Sequence, residues 1–197
     1  MTKGRLEAFS DGVVAILITI MVLELKIGGH DAGEVAASFA ALHGIGTQFL
    51  AYVLSFVFLG IYWNNHHHML HMADRVNGAI LWANLHLLFW LSLVPTTTAW
   101  IGDTHFAPAP LAAYGVVLLC AAIAYTVLQR AIIRTQGEGS RLAAAVGRDR
   151  KGLLSMAAYV AAIPLAFVHA GIAGGLYIVV ALIWLVPDRR IESKLPH

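Results

Sequence analysis

The side chains able to do chemistry in this 197-residue chain gather in three short stretches. The first is Arg5-Leu6-Glu7-Ala8-Phe9-Ser10-Asp11. A carboxylate in the first turn of a helix is favoured by the partial positive charge there, which suffices to explain Glu7 as a cap or dipole effect. Asp11 lies six residues beyond Arg5, about 9 Å further along a helix, where an ionisable group in a membrane has to be paired inside the protein or face water. The second stretch is Tyr62-Trp63-Asn64-Asn65-His66-His67-His68-Met69-Leu70-His71. His67 and His71 are four apart on one helical face, and imidazole suits zinc, copper or nickel. No cysteine is near and Asp74 is the only close carboxylate, so a first shell would be incomplete. The same histidines suit proton sensing, because imidazole titrates near neutrality. Alternatively His66 or His67 hydrogen-bonds within a helical bundle, while Trp63 marks the membrane interface. The third stretch holds Asn84 and His86 in an otherwise apolar run with Pro95 near its outer end. A buried asparagine needs a partner, and a hydrogen bond to another helix is the usual solution. The expected arrangement joins Asn84, the histidines after Trp63 and the Ser10–Asp11 pair in one network.

These groups sit on elements of one kind. Only 12% of residues are charged and 59% are hydrophobic, against roughly 25% charged in a soluble domain. Six apolar segments are expected at about 8–25, 47–64, 78–101, 111–130, 152–169 and 171–186. At about 20 residues per bilayer crossing they use most of the chain, which excludes a soluble catalytic domain on membrane anchors. The expectation is an all-α, multi-pass membrane protein with six transmembrane helices, a single domain over residues 1–197. The last two segments are separated only by His169, Ala170 and Gly171. One continuous helix from Leu153 to Val186 would be about 50 Å long, too long for a bilayer core, so a hairpin is expected.

Twelve of the 13 Lys and Arg residues fall on one side of this arrangement and only Lys26 on the other. Basic residues are retained in the cytoplasm, so both termini and the 131–151 loop are expected there, in a cell membrane. That requires an even number of crossings and supports the hairpin. A cleaved signal peptide is disfavoured because Asp11 interrupts the first apolar core and Glu24 and Lys26 occupy the place of a cleavage site. The net charge of +2 is too small for nucleic-acid binding. Cys120 is the single cysteine, so no intrachain disulfide forms. No internal duplication at the 60-to-100-residue scale suggests an inverted-repeat transporter.

At about 100° per residue, Ile16, Thr19, Ile20 and Leu23 share a stripe of the first helix, with Ser10 and Asp11 well away from it. The spacing 12, 16, 19, 23 is that of a seam by which identical helices meet about an axis, though ordinary helix packing uses the same spacing. There is no TVGYG-type filter, arginine ladder, GxxxxGK[ST] loop or pair of intramembrane carboxylates.

Arg5-x-x-x-Phe9-Ser10-Asp11 followed by Ala15-Ile16 and Thr19 resembles the signature first helix of the transmembrane protein 175 family of potassium channels. Tyr62-Trp63-x-x-His66-His67, and Asn84 with downstream Pro95, resemble its second and third helices. The likeness is rich in motifs over residues 5–101 and topological only over 102–197. It implies a potassium-selective, leak-type channel, neither an enzyme nor a cofactor or metal protein, with potassium as the permeant ion. Animal members carry two such units per chain and dimerise, which implies a homotetramer here, its pore lined by the first helix. By the same resemblance Ile16 is the constriction, Thr19 a hydroxyl layer and Leu23 a second apolar ring, with Ile20 beside them. Arg5, Phe9, Ser10, Asp11, Trp63, His66, His67 and Asn84 belong to the structural polar network, while His68 and His71 fall outside the pattern. The competing reading is a histidine-using membrane transporter for metal ions or protons that depends on His67 and His71. An electrically silent scaffold is a third.

Overall fold

The computed structural model describes residues 1–25, 45–137, 139–146 and 149–185. Every regular element among them is helical: α1 (Lys3–Ile20), closed by a 3-10 turn at Met21–Glu24, then α2 (Gly46–His71), α3 (Gly78–Ser92), α4 (Val94–Asp103), α5 (Pro108–Gln136), α6 (Arg141–Val146), α7 (Arg150–Val168) and α8 (Ala170–Leu185). Five rods are long and apolar enough to cross a bilayer, counting α1 with its turn as one and α3 with α4 as one. The sixth, α8, is a shorter apolar helix of 16 residues. The protein is therefore an all-helical membrane protein.

Two expectations are refined. The third apolar segment forms one span, Gly78–Asp103, whose helix is interrupted at Leu93 immediately before Val94 and Pro95 open α4. Pro95 has no N–H to bond the Leu91 carbonyl four residues back, and its ring crowds that carbonyl, so the helical ladder cannot run on unbroken. The Leu93 N–H turns back to the Trp90 carbonyl at 3.2 Å, and the hydroxyls of Thr97 and Thr98 add bonds to the Leu93 and Val94 carbonyls at 3.1 and 2.7 Å. The region 131–151 is also less of a loop than its charge suggests. Its first six residues complete α5, and α6 occupies 141–146. Lys26, Arg148, Arg189, Arg190 and Lys194, used above to assign orientation, lie outside the described residues. The hairpin does form: His169 adopts extended backbone (φ −158°, ψ 110°) between α7 and α8, which pack against each other.

The bundle is built around α5, which contacts α3, α4, α7 and α8. Ala121 and Ala124 on α5, Ala162 and Ala166 on α7 and Ala173 on α8 are buried completely. Small side chains let helices approach closely, which matters in a bilayer because lipid is as apolar as leucine and association depends on packing. Gly115 is one such position, where a Cβ would collide with the Tyr177 hydroxyl that donates to the Leu111 carbonyl at 2.9 Å. A buried polar chain, Tyr114–Ser55–Thr98 at 3.0 and 2.6 Å, joins α5, α2 and α4. Asn77 caps α3 through the Ile80 amide and donates to Thr135 at 3.1 Å, tying the start of α3 to the end of α5.

Candidate functional site

Helix α1 lies at the margin of the bundle and packs principally on α2 and α3. Leu6, Ser10, Val14, Leu17 and Met21 are buried. Steps of three and four residues place them along one edge of the helix. Gly12, Ala15, Ile16, Thr19, Ile20 and Leu23 are exposed on the other side. Ile16 is 61% and Leu23 72% exposed, so large apolar side chains stand on a face that is left open among the described residues. The four candidates Ile16, Thr19, Ile20 and Leu23 are thus together. The Thr19 hydroxyl turns back on the Ala15 and Ile16 carbonyls, each at 3.0 Å. Its proton is directed into the helix, which leaves oxygen lone pairs facing outward.

The buried edge is fixed by a hydrogen-bonded chain across three helices. Ser10 accepts from the Asn84 amide at 2.9 Å, and the Asn84 oxygen lies 2.7 Å from His66 Nε2. An amide oxygen only accepts, so Nε2 carries the proton. Ser10 and Asn84 have no exposed surface and His66 almost none. Asp11 stands beside this chain and accepts from the indole N–H of Trp63 at 3.0 Å. The expected single network is therefore two adjacent links, Ser10–Asn84–His66 and Asp11–Trp63.

The remaining network candidates stand apart. Arg5 is exposed and, among the described residues, makes no hydrogen bond or ion pair. Phe9 is about half exposed. The His67 ring is stacked on His71, with centroids 6.2 Å apart and planes at 14°, and also meets Trp63. Among the described residues no group of three His, Cys, Asp or Glu side chains is placed to hold a metal.

Sequence reasoning missed the contact that ties down the start of α1. Lys3 donates to the His71 carbonyl at 2.6 Å and lies 3.9 Å from Glu7. A helix ends with unpaired carbonyls, and a lysine at the opposing helix start answers that need. The role of Trp63 was partly legible, since an indole N–H opposite a carboxylate at membrane depth is an obvious donor.

The chain is similar to known proteins over the helices that carry this site. The family described as "Endosomal/lysosomal potassium channel TMEM175" matches residues 5–95, which span α1, the polar anchor and the start of α4. The chain is 56% identical over 195 residues to "Potassium channel HX13_20290" of Chryseobacterium sp. (strain P1-3), covering 99% of this chain and 98% of that one. It is 38% identical over 96 residues to the human "Endosomal/lysosomal proton channel TMEM175", a match that covers 19% of the human protein. The crystal structure of a lysosomal potassium-selective channel TMEM175 homolog from Chamaesiphon minutus superposes with a TM-score of 0.81 at 28% identity, over 95% of this chain and 97% of that one. The proteins it resembles are channels, and nothing in the site has the form of a catalytic centre. Because more than half of its residues are shared from end to end with one member and its fold matches that of another, the chain belongs to the TMEM175 channel family.

Proposed function

We propose that this chain is a potassium-selective, leak-type channel of the cell membrane. It acts as a homotetramer with both termini in the cytoplasm and one conduction path on the symmetry axis. The exposed stripe of α1 carries the reading. Ile16, Thr19, Ile20 and Leu23 face outward, while the opposite edge of the helix is locked by the Ser10–Asn84–His66 chain and by Trp63 on Asp11. A helix held so firmly along one edge presents the other at a fixed angle, as a pore wall requires.

Four copies of Ile16 about an axis make an apolar neck that gates by dewetting. Potassium surrenders hydration water at lower cost than the smaller sodium ion, so the neck favours potassium. One turn outward, four Thr19 oxygens with lone pairs toward the axis partly replace the lost water. Leu23 forms a second apolar ring and Ile20 fills the wall beside it. The resulting discrimination is weaker than that of a carbonyl filter. Potassium is chosen over protons because the relative sharing nearly the whole chain is named a potassium channel, whereas the relatives named proton channels match over less than half of it.

The test is a bi-ionic reversal potential on the full-length protein in liposomes, with potassium on one side and sodium on the other. A potassium-favouring potential, with larger conductance in Ile16→Ala, supports the proposal. Absence of cation current from correctly folded protein refutes it.

A further inference from the structure

The arginines Arg130 and Arg134 stand one turn apart on α5 and are exposed. Among the described residues neither has a hydrogen bond or ion pair. Both line a groove of about 460 Å³ between α3 and α5, which continues past Trp82 and Val127 to His86. Trp82 is 75% exposed, so its ring forms an open apolar wall. The end of the groove carrying the arginines is framed rigidly, because Asn77 at the start of α3 donates to Thr135 next to Arg134.

His86 supplies the next element. The indole N–H of Trp90 donates to its Nε2 at 3.0 Å. A neutral imidazole that accepts on one nitrogen carries its proton on the other. Nδ1–H therefore remains as a donor on an exposed side chain, well inside an apolar rod. The groove offers, in order of depth, two guanidinium groups, a tryptophan wall and one neutral N–H donor.

We propose that this groove is a binding site for an anionic phospholipid. The guanidinium pair takes the phosphate, since guanidinium forks match phosphate geometry. His86 Nδ1–H donates to an ester carbonyl of the same lipid, and the acyl chain lies along Trp82 and Val127. Basic pockets between membrane helices on the positively charged side are suited to acidic headgroups. A free phosphate or soluble anion would use the arginines alone and leave the apolar wall and the deeper donor unexplained. Arg130 and Arg134 also line a second groove, between α5 and α7, but that one contains the Asp149 carboxylate and is less favourable to an anion. The proposal is independent of what passes through the pore.

The test is native mass spectrometry of the purified full-length protein with phosphatidylglycerol, phosphatidylcholine of the same acyl chains, or glycerol phosphate. Wild type is expected to retain phosphatidylglycerol about tenfold or more over phosphatidylcholine and not to be competed by glycerol phosphate at equal concentration. The double variant Arg130→Gln, Arg134→Gln should lose that preference, the double lysine variant should keep most of it, and His86→Ala should weaken retention of both lipids. Equal retention of the two lipids by wild type overturns the proposal without recourse to any variant. So does competition by glycerol phosphate, which would indicate a soluble-anion site, or an unchanged preference in the folded double glutamine variant.

Discussion

Replacing Asn84 by alanine attacks the joint that sets the angle of α1. The substitution removes both the 2.7 Å contact with His66 and the 2.9 Å bond to Ser10. Interhelical hydrogen bonds in membranes contribute about 0.6 kcal/mol on average and up to about 1.7. Loss of two therefore costs about 1–3 kcal/mol, towards the upper end here because His66 and Ser10 stay buried without a partner. Equilibrium unfolding in mixed micelles with increasing sodium dodecyl sulfate, followed by helical circular dichroism, measures it. Ser10→Ala breaks one of the same two bonds, so the two changes overlap. The double variant should be less destabilised than the sum of the single variants by about the strength of the shared bond, roughly 0.6–1.7 kcal/mol. Additivity to within about 0.3 kcal/mol, or a cost for Asn84→Ala below about 0.5, would refute the claim that this chain of bonds anchors α1.

Trp63→Phe keeps an aromatic ring, though a smaller one, and deletes the donor to Asp11; a loss of about 0.6–1.7 kcal/mol is expected in the same unfolding assay, and little further loss when Asp11→Asn is added. Gly115→Ala drives a methyl group into the Tyr177 hydroxyl and should cost about 1–3 kcal/mol, a cost that falls when residue 177 is already phenylalanine. Thr19→Ala removes the outward-facing oxygens, so the bi-ionic potassium/sodium reversal potential should move towards zero while conduction persists. An unchanged potential would exclude Thr19 from ion coordination.

The helical membrane architecture was readable because a bilayer leaves few choices: long apolar runs have to be helices. The α7–α8 hairpin followed from length alone. The interruption at Leu93 was less visible, since Pro95 also suits a helix start and the apolar run continues through it. On α1 the periodicity identified the Ile16–Leu23 stripe as one face without saying whether it was buried. That depended on Leu6, Ser10, Val14 and Leu17 taking the inner edge. The polar partners were only half readable. Depth pointed to Asn84 and Ser10 meeting, but which of several adjacent histidines reaches Asn84 depends on helix rotation, and rotation selects His66 and leaves His67 stacked on its own-helix neighbour His71. The Tyr114–Ser55–Thr98 chain and the Lys3 contact with His71 involve residue types common in any helical protein, so nothing in their local sequence distinguished them.

The central claim is that the outward stripe of α1 borders the path of the ion. The direct measurement is potassium flux through Ile16→Cys protein, with Cys120 replaced by alanine, before and after a positively charged methanethiosulfonate reagent. A charged adduct at position 16 is predicted to abolish most of the flux, with recovery after reduction, while Leu17→Cys on the buried edge is unaffected. Undiminished flux through channels whose residue 16 is shown by mass to be fully modified would contradict the account.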